Sequence, residues 1–224
     1  MEPLEFTGYA DMGDDSSSKP DFKKRQMSCY VKDLPKDEIP DSLKDDSKPK
    51  ARRMSCVQML KKDKEDESLE NYKKNLLGDL GAIEEEAPAE VEIYSIEFVC
   101  HDREDGNIVL NFREDEEIKK AEEFVLKEGS PFNIRITFKV HNDIVYGLKF
   151  ANIVKKLKIT AQKEEHVMGT FAPTKEAHVF DLPEAYAPEG FFQRGSYKGK
   201  AMLIDSDGMV HLQFKYPFKI SKKW

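Results

Sequence analysis

The sequence predicts an all-β fold: an immunoglobulin-like antiparallel β-sandwich, preceded by a largely disordered N-terminal arm with a short helical segment. The main observation is that apolar residues recur with a period of two downstream of about residue 90, which is typical of antiparallel strands with one buried face. The second is the distribution of aromatic residues, because only Phe6, Tyr9, Phe22 and Tyr30 precede residue 70. The third is composition, since 35% of the 224 residues are charged, above the roughly 25% usual for a globular domain.

Residues 1–63 predict a disordered extension. They contain few large apolar side chains, so folding could not offset the entropy lost on ordering. One pattern recurs: Arg25–Cys29 (RQMSC) returns as Arg52–Cys56 (RRMSC). The second copy resembles the substrate of a basophilic kinase, which makes Ser55 a phosphorylation candidate. Chance recurrence in a tail rich in Lys, Arg and Ser explains the pattern equally well.

Residues 64–87 predict a helical arm. Leu69, Tyr72 and Leu76 fall at i, i+3 and i+7 and form one apolar stripe, with Leu77 beside it and Gly78 as a stop signal. The oxygens of Asp66, Glu67 and Ser68 stand where they can cap free N–H groups at the start of the helix. A stripe this narrow cannot form a core alone, so we expect it to dock on its own domain or on a partner.

Residues 88–224 predict the sandwich, with about nine strands and without crossover helices. The clearest strands are Phe132 to Val140 and Val210 to Ile220, where apolar and polar residues alternate. Shorter segments of the same kind are Val91 to Cys100, Ile108 to Phe112, Ile144 to Phe150, Ala151 to Ile159, His166 to Phe171, His178 to Leu182, Phe191 to Tyr197 and Ala201 to Ile204. Asp205 to Gly208 predicts a hairpin turn. Pro217 indicates an edge strand or a bulge, and Glu114 to Glu123 is the one helical candidate inside the domain.

The sequence argues against an enzyme, a metal site or a cofactor. The five histidines are scattered over different predicted strands and loops, and the known nucleotide-loop, nucleophile-elbow and zinc-protease motifs are missing. Three distant cysteines suit a reducing cytosol. The net charge of -7 disfavours nucleic acid and suits a partner with a basic segment. Neither a secretory signal nor an apolar run long enough to span a bilayer is found, so we expect a soluble cytoplasmic protein.

The domain has an unusual amount of aromatic area for its size. It includes Phe98, Phe124, Phe132, Phe138, Phe192, Phe214, Tyr216 and Phe218. An ordinary hydrophobic core explains most of these rings. A cavity between the sheets that accepts an apolar ligand would explain some of them, and composition does not choose between the two.

From Lys64 to Trp224 the chain resembles the Rho GDP-dissociation inhibitors. The matching stretches include Asp66–Leu69 with Leu76–Gly78, Phe124–Gly129, Phe138–Val140, Asp143–Val145, Gly147–Lys149, Arg194–Tyr197 and Ile220–Trp224. Their order and spacing match across a whole domain, with essentially one length variation between Asp79 and Glu90. The segment up to about residue 63 is longer than is usual in that family.

The resemblance implies a two-part inhibitor of prenylated Rho, Rac or Cdc42-like GTPases that is monomeric without its GTPase. The sandwich would take a geranylgeranyl tail between its sheets, and the arm would pack on the GTPase switch regions and slow GDP release. By position, the GTPase contacts carried over are Asp66, Ser68, Leu69, Tyr72, Leu76, Leu77 and Asp207. The prenyl pocket carried over is Phe98, Phe124, Phe132, Ile144, Phe192 and Tyr216. The alternative is a prenyl- or acyl-binding carrier for other lipidated cargo, which would not contact switch regions and would not need the arm.

Five positions depart from or add to the family pattern. Phe214 and Tyr216 stand where the family has a pair of tryptophans, which implies a differently shaped pocket. Phe132 stands where a tyrosine is usual, and Ser206 where the acidic turn usually has another Asp. Ser55 falls where the family has a regulatory serine, and this favours phosphorylation there over chance recurrence.

Overall fold

The structure, a computed structural model, describes residues 87–112 and 122–224, together with Cys29, Tyr30, Leu34, Pro35, Ser55, Gln58 and Ser68. Eleven strands form in these residues: β1 Cys29–Tyr30, β2 Glu90–Val99, β3 Ile108–Asn111, β4 Phe124–Lys127, β5 Pro131–His141, β6 Val145–Lys156, β7 Ile159–Phe171, β8 His178–Asp181, β9 Ala185–Tyr186, β10 Gly195–Ile204 and β11 Met209–Ser221. A 3-10 turn, Phe191–Gln193, precedes β10.

The strands form two sheets that pack as a sandwich, as the sequence predicts. One sheet has six strands in the order β1-β11-β10-β6-β7, with β4 also paired to β11. The other has five strands in the order β3-β2-β5-β8, with β9 also paired to β5. All of the pairings are antiparallel except that of β4 with β11, where Phe124 lies opposite Phe218 in a parallel pair.

Alternation of apolar and polar residues explains the core between the sheets. In β5, Ile134, Ile136, Phe138 and Val140 are buried, whereas the residues between them are partly exposed. The same period appears in β11, where Phe214, Tyr216, Phe218 and Ile220 face inward. Burying a large apolar side chain stabilises the fold by about 1.5–3 kcal/mol, so these two strands account for much of the stability of the domain.

Several strands differ from the sequence prediction in their extent. Ile144 to Phe150 and Ala151 to Ile159 were predicted as two segments, but a single strand, β6, covers most of both. Five consecutive residues of β6, from Phe150 to Val154, are buried on both faces of the sheet, which removes the alternation that marks a strand. The predicted segment Phe191 to Tyr197 is divided between the 3-10 turn and the start of β10.

Pro217 lies where the sequence places it, on a strand that is open on one side. β1 pairs with Val210 and Met209 at the start of β11, and β4 pairs with Phe218 to Ser221 at its end. Between them, no strand of the described residues flanks β11 on that side. Residues 114–121 of the predicted helix Glu114 to Glu123 and nearly all of the predicted arm lie outside the described residues, and Glu122 and Glu123 have no regular secondary structure.

Candidate functional site

Four aromatic rings from both sheets meet between them. Phe98 on β2 is the centre, with its ring centroid 4.9 Å from that of Phe124 on β4, 6.0 Å from Phe132 on β5 and 5.6 Å from Tyr216 on β11. Phe98 and Tyr216 are buried, whereas Phe124 and Phe132 are only partly buried. Ring pairs at these separations attract one another beyond their burial, so the four form one apolar wall.

The aromatic wall continues along β11 toward the end of the strand. The ring of Tyr216 is 5.8 Å from that of Phe218, which in turn stacks on Tyr197 of β10 at 5.2 Å. In the other direction, Phe214 is 5.6 Å from Tyr216 and 5.1 Å from Phe112. The chain therefore lines the space between its sheets with a continuous row of rings, and an apolar ligand could lie against this row.

Tyr216 is fixed in place by two neighbours. Its hydroxyl donates a hydrogen bond of 2.9 Å to Oδ1 of Asn152, which is itself buried on β6. Its ring lies directly over Gly199 on β10, where an added Cβ would be 2.1 Å from Cζ of the ring. Burial raises the pKa of Tyr216 well above its ordinary value, although the hydrogen bond to Asn152 opposes the shift. The residue is therefore a neutral donor at any physiological pH.

The 3-10 turn exposes two phenylalanines at one end of the sandwich. Phe192 is 88% exposed, and its ring is 5.6 Å from that of Phe191. The backbone beneath them is well held, because Nζ of Lys156 donates to the carbonyl oxygens of Phe192 at 2.6 Å and of Arg194 at 3.0 Å. Phe192 therefore projects from a fixed turn, apart from the four-ring wall.

A bidentate ion pair joins this turn to the loop after β4. Nε and Nη2 of Arg194 donate to the two carboxylate oxygens of Glu128 at 2.8 and 2.7 Å, and the backbone N–H of Gly190 donates to the same carboxylate at 3.3 Å. The hydrogen bond from Arg194 lowers the pKa of Glu128 below its ordinary value, against the opposing effect of burial. Because the guanidinium and the carboxylate are both planar and share two hydrogen bonds, the pair fixes the orientation of the turn relative to the loop as well as their separation.

The turn between β10 and β11 is organised by Asp205. Oδ1 of Asp205 accepts the backbone N–H groups of Asp207 at 2.8 Å and Met209 at 2.9 Å, and Oδ2 is 3.0 Å from Nε2 of His211. Burial alone would raise the pKa of Asp205, but the hydrogen bonds from His211 and from the N–H of Met209 outweigh it and the pKa lies below its ordinary value. Asp205 is buried and holds the turn, while Asp207 is exposed at its tip.

A cleft of about 360 Å³ opens beside this turn. The domain lines it with Pro88, Ala89, Asp143, Ile144, Tyr146, Asp205, Asp207 and Met209, and the N-terminal region adds Tyr30, Ser55 and Gln58. Oγ of Ser55 accepts the backbone N–H of Gln58 at 3.2 Å, the arrangement of a helix N-cap. Three aspartates therefore surround a pocket that also contains the phosphorylation candidate.

The structure distributes the predicted site residues over three places. Phe98, Phe124, Phe132 and Tyr216 lie together in the four-ring wall, Ile144 lines the cleft with Asp207, and Phe192 lies on the exposed turn. Ser68 has helical conformation and is exposed. The other predicted contacts of the arm, Asp66, Leu69, Tyr72, Leu76 and Leu77, lie outside the described residues.

Sequence reasoning missed the residues that support the sites. Asn152 lies in the middle of a strand, where a polar residue is expected to face solvent, and it is instead the acceptor for Tyr216. The role of Gly199 could not be recognised from the sequence, because the reason for a glycine there is the ring of Tyr216, which lies opposite it on β11. His211 could have been found, since it alternates with apolar residues and follows the turn closely, but its partner Asp205 was interpreted only as a turn former.

The described residues indicate a binding protein. They contain no group of three or more His, Cys, Asp or Glu placed to hold a metal ion. Within the same part of the chain, no helix has the length and apolar character needed to cross a membrane. What the fold does offer is an aromatic interior between two sheets and an acidic turn and cleft at one end. These features suit an apolar ligand and a basic protein surface, respectively.

The family model described as RHO protein GDP dissociation inhibitor matches residues 35–223, and the chain belongs to this family. It is similar to Rho GDP-dissociation inhibitor 1 of Arabidopsis thaliana, with 40% identity over 167 residues that cover 74% of this chain and 68% of that protein. It is also similar to the putative rho GDP-dissociation inhibitor 1 of Dictyostelium discoideum, at 35% identity over 77% of this chain and 89% of the relative. Rho GDP-dissociation inhibitor 1 of Homo sapiens is 33% identical over 79% of this chain and 86% of its own length.

Members of this family are regulatory inhibitors and not enzymes, which agrees with the sequence prediction. Among solved structures, a Niemann-Pick type C2 protein from Japanese carpenter ant aligns at a TM-score of 0.32 and 8% identity, over 43% of this chain and 79% of that one. That likeness is too distant to bear on function.

Proposed function

We propose that the protein binds a prenylated Rho-family GTPase in the cytoplasm, slows its release of GDP and extracts it from membranes by burying the geranylgeranyl tail between the two sheets. The protein would be a monomer when no GTPase is bound. The observation that supports this most directly is the four-ring wall of Phe98, Phe124, Phe132 and Tyr216, in which both sheets contribute rings to one apolar surface. Membership of the family supports the GTPase as the partner.

The physical requirement is that the protein competes with a bilayer for the lipid. Each CH₂ group transferred into an apolar environment contributes about 0.8 kcal/mol, so most of the prenyl chain must be covered. Phe124 and Phe132 are partly exposed, so they can move to admit a chain more easily than Phe98 can. Tyr216 is fixed by Asn152 and Gly199 and would form the rigid side of the site. Ile144 and Phe192 would contact the lipid only toward the ends of the sandwich.

The GTPase itself would contact the acidic turn and the arm. Asp207 is exposed at the tip of a turn that Asp205 holds rigid, so its carboxylate can meet a basic surface without ordering a loop. Preorganisation of this kind reduces the entropy lost on binding. The arm would supply the remaining contacts on the switch regions: Asp66, Ser68, Leu69, Tyr72, Leu76 and Leu77.

Lipid dependence is tested with a prenylated and an unprenylated Rho-family GTPase. Phe132→Asp places a carboxylate in the four-ring wall, where an unpaired charge is costly to bury. We expect this variant to lose membrane extraction while it still slows GDP release from the unprenylated GTPase. Val109→Asp changes an exposed apolar residue of β3 and is the matched control. Equal extraction by Phe132→Asp and the unmodified chain would contradict the lipid site.

The acidic turn is tested by Asp207→Asn, which keeps a turn-forming residue and removes the charge. Losing one partner of a desolvated charge pair typically costs about 2–5 kcal/mol of binding. We therefore expect weaker binding of the GTPase at an unchanged melting temperature. A lower melting temperature with unchanged affinity would show that Asp207 only shapes its turn. A carrier of other lipidated cargo would instead bind prenylated protein without any effect on GDP release.

A further inference from the structure

The six-stranded sheet has a second apolar cluster on its outer face, away from the core. It consists of Ala151 and Ile153 on β6, Met202 and Ile204 on β10, and Val210 on β11, and each of these is at most 3% exposed. Their neighbours in sequence, such as Ala201 and Leu203, belong to the core between the sheets. Residues of this outer face should be solvent-exposed in a two-sheet sandwich, so something covers them.

Part of the cover comes from the N-terminal extension. Leu34 packs against the outer cluster. A few residues earlier, Cys29 and Tyr30 form β1, an additional antiparallel strand on the edge of the sheet, with Cys29 opposite Val210 and Tyr30 opposite Met209. The extension therefore pairs with the backbone of β11 and also contributes a side chain to the apolar face. Strand addition of this kind combines main-chain hydrogen bonds with pockets for alternate side chains.

The same segment also reaches the cleft beside Asp207. Tyr30 lines this cleft together with Ser55 and Gln58 from farther along the N-terminal region and with Pro88 from the start of the domain. Gln58 and Pro88, which precede and follow the predicted arm in the sequence, therefore line the same cleft. The segment Cys29 to Leu34 precedes residues 35–223, the region that matches the family model.

We propose that Cys29, Tyr30 and Leu34 belong to an intramolecular ligand for the outer face of the six-stranded sheet, and that its docking, with Ser55 and Gln58 at the cleft, anchors the start of the arm beside Asp207, where Pro88 holds its end. A segment that is joined to the domain at both ends is a loop and not a free tail. A loop whose ends are already together has lost part of its conformational entropy before it meets a partner. The consequence for the GTPase rests on the proposed function, whereas the docking itself does not.

Docking is tested in the full chain without any partner. Leu34→Asp places a carboxylate on the outer cluster and should release the segment. We expect hydrogen exchange to rise about tenfold or more at the backbone amides of residues 29–35 and 202–211, since local opening exposes both sides of the contact. Leu34→Ala should give a smaller rise at the same amides. The control is Leu157→Asp, because Leu157 is 86% exposed in the turn between β6 and β7, and this variant should leave these amides unchanged. Equal exchange in Leu34→Asp and the unmodified chain overturns the proposal.

Anchoring of the arm is tested by the affinity for a prenylated Rho-family GTPase. Release of the segment lengthens the part of the chain that must be ordered when the GTPase binds. One doubling of loop length corresponds to roughly a threefold loss of affinity. We expect Leu34→Asp to lose affinity on the order of threefold, with Leu157→Asp unchanged. Equal or tighter binding by Leu34→Asp overturns the anchoring role. If the unmodified chain binds no such GTPase, the proposed function fails while the exchange result still decides the docking.

Discussion

Replacing Gly199 with alanine adds one methyl group at the most crowded point of the aromatic interior. The new Cβ would lie 2.1 Å from Cζ of Tyr216 and 2.4 Å from Cε2. Carbon atoms pack at about 3.5–4.0 Å, so the ring must retreat by about 1.5 Å. Gly199 lies directly opposite Tyr216 across the β10–β11 pair. The added methyl group would be attached to the backbone of β10, which cannot move away from the ring as a flexible side chain would.

The cost has two parts. Overpacking a filled interior costs about 1–3 kcal/mol. A displaced Tyr216 also loses its hydrogen bond to Asn152, and leaving that buried acceptor without its donor costs about 1–3 kcal/mol. We expect Gly199→Ala to lower the free energy of unfolding by about 2–6 kcal/mol. Urea denaturation monitored by circular dichroism measures this directly.

Two further variants separate the clash from the hydrogen bond. Tyr216→Phe keeps the ring and removes only the hydroxyl, so it reports the hydrogen bond alone. In a Tyr216→Leu background the ring atoms nearest to Gly199 are gone, and Gly199→Ala should then cost little. If Gly199→Ala is equally destabilising with Tyr216 and with leucine at that position, the clash is not the cause and our reasoning is refuted.

Three other predictions concern charged groups and the phosphorylation candidate. The pKa of Asp205 is lower in the folded state than its ordinary value. Its contribution to stability is therefore complete above about pH 4, the ordinary range of the group, and is lost as the pH falls through the folded pKa. Asp205→Asn should flatten the acid denaturation curve below about pH 4. Glu128→Gln should raise hydrogen exchange at residues 190–194, because its ion pair with Arg194 holds that turn, and unchanged exchange would argue against it. Ser55→Glu should weaken GTPase binding more than Ser55→Ala does, because Ser55 lines a cleft with three aspartates, and the difference should shrink at high salt.

The sequence predicted the strands that have one buried face and was less accurate where both faces are covered. In β5 the alternation of buried and partly exposed residues matches the predicted period. In β6 the outer cluster buries Ala151 and Ile153 as well, so the sequence from Phe150 to Val154 shows an apolar run that only Asn152 interrupts. Such a run does not reveal where one strand ends. Leu34, more than a hundred residues away in the sequence, packs against that outer face, and no local pattern contains this information.

The short strands β4 and β9 escaped prediction for a different reason. Ala185–Tyr186 has only two residues, which is too short to show a period, and Phe124–Lys127 begins with three consecutive apolar residues and does not alternate. β4 is defined by its parallel pairing with the last residues of β11. A strand of this kind exists because of its partner, so its formation depends on tertiary structure and not on local propensity.

The sequence could predict which residue types line the candidate site, but it could not predict how far along its strand each of them lies. Aromatic residues on β2, β4, β5 and β11 were expected to meet between the sheets, and four of them do. Ile144 was grouped with them but lies in the cleft at the start of β6. Asp207 precedes β11 by two residues, and Ile144 precedes β6 by one. Both therefore lie at the same end of the sandwich, whereas the aromatic wall extends toward the opposite end.

This separation makes a prediction about the partner. Tyr216 lies nine residues beyond Asp207 along the chain, and at about 3.3 Å per residue this is roughly 30 Å. A GTPase whose body contacts Asp207 can place its lipid beside Tyr216 only if an extended tail joins the two. An extended chain spans at most about 3.3–3.6 Å per residue, so about nine residues are needed. We expect deletion of four residues from such a tail to abolish extraction while the unprenylated GTPase still binds, and insertion of four flexible residues to cost little. Full extraction with the shortened tail would mean that the lipid does not reach the four-ring wall while Asp207 is in contact.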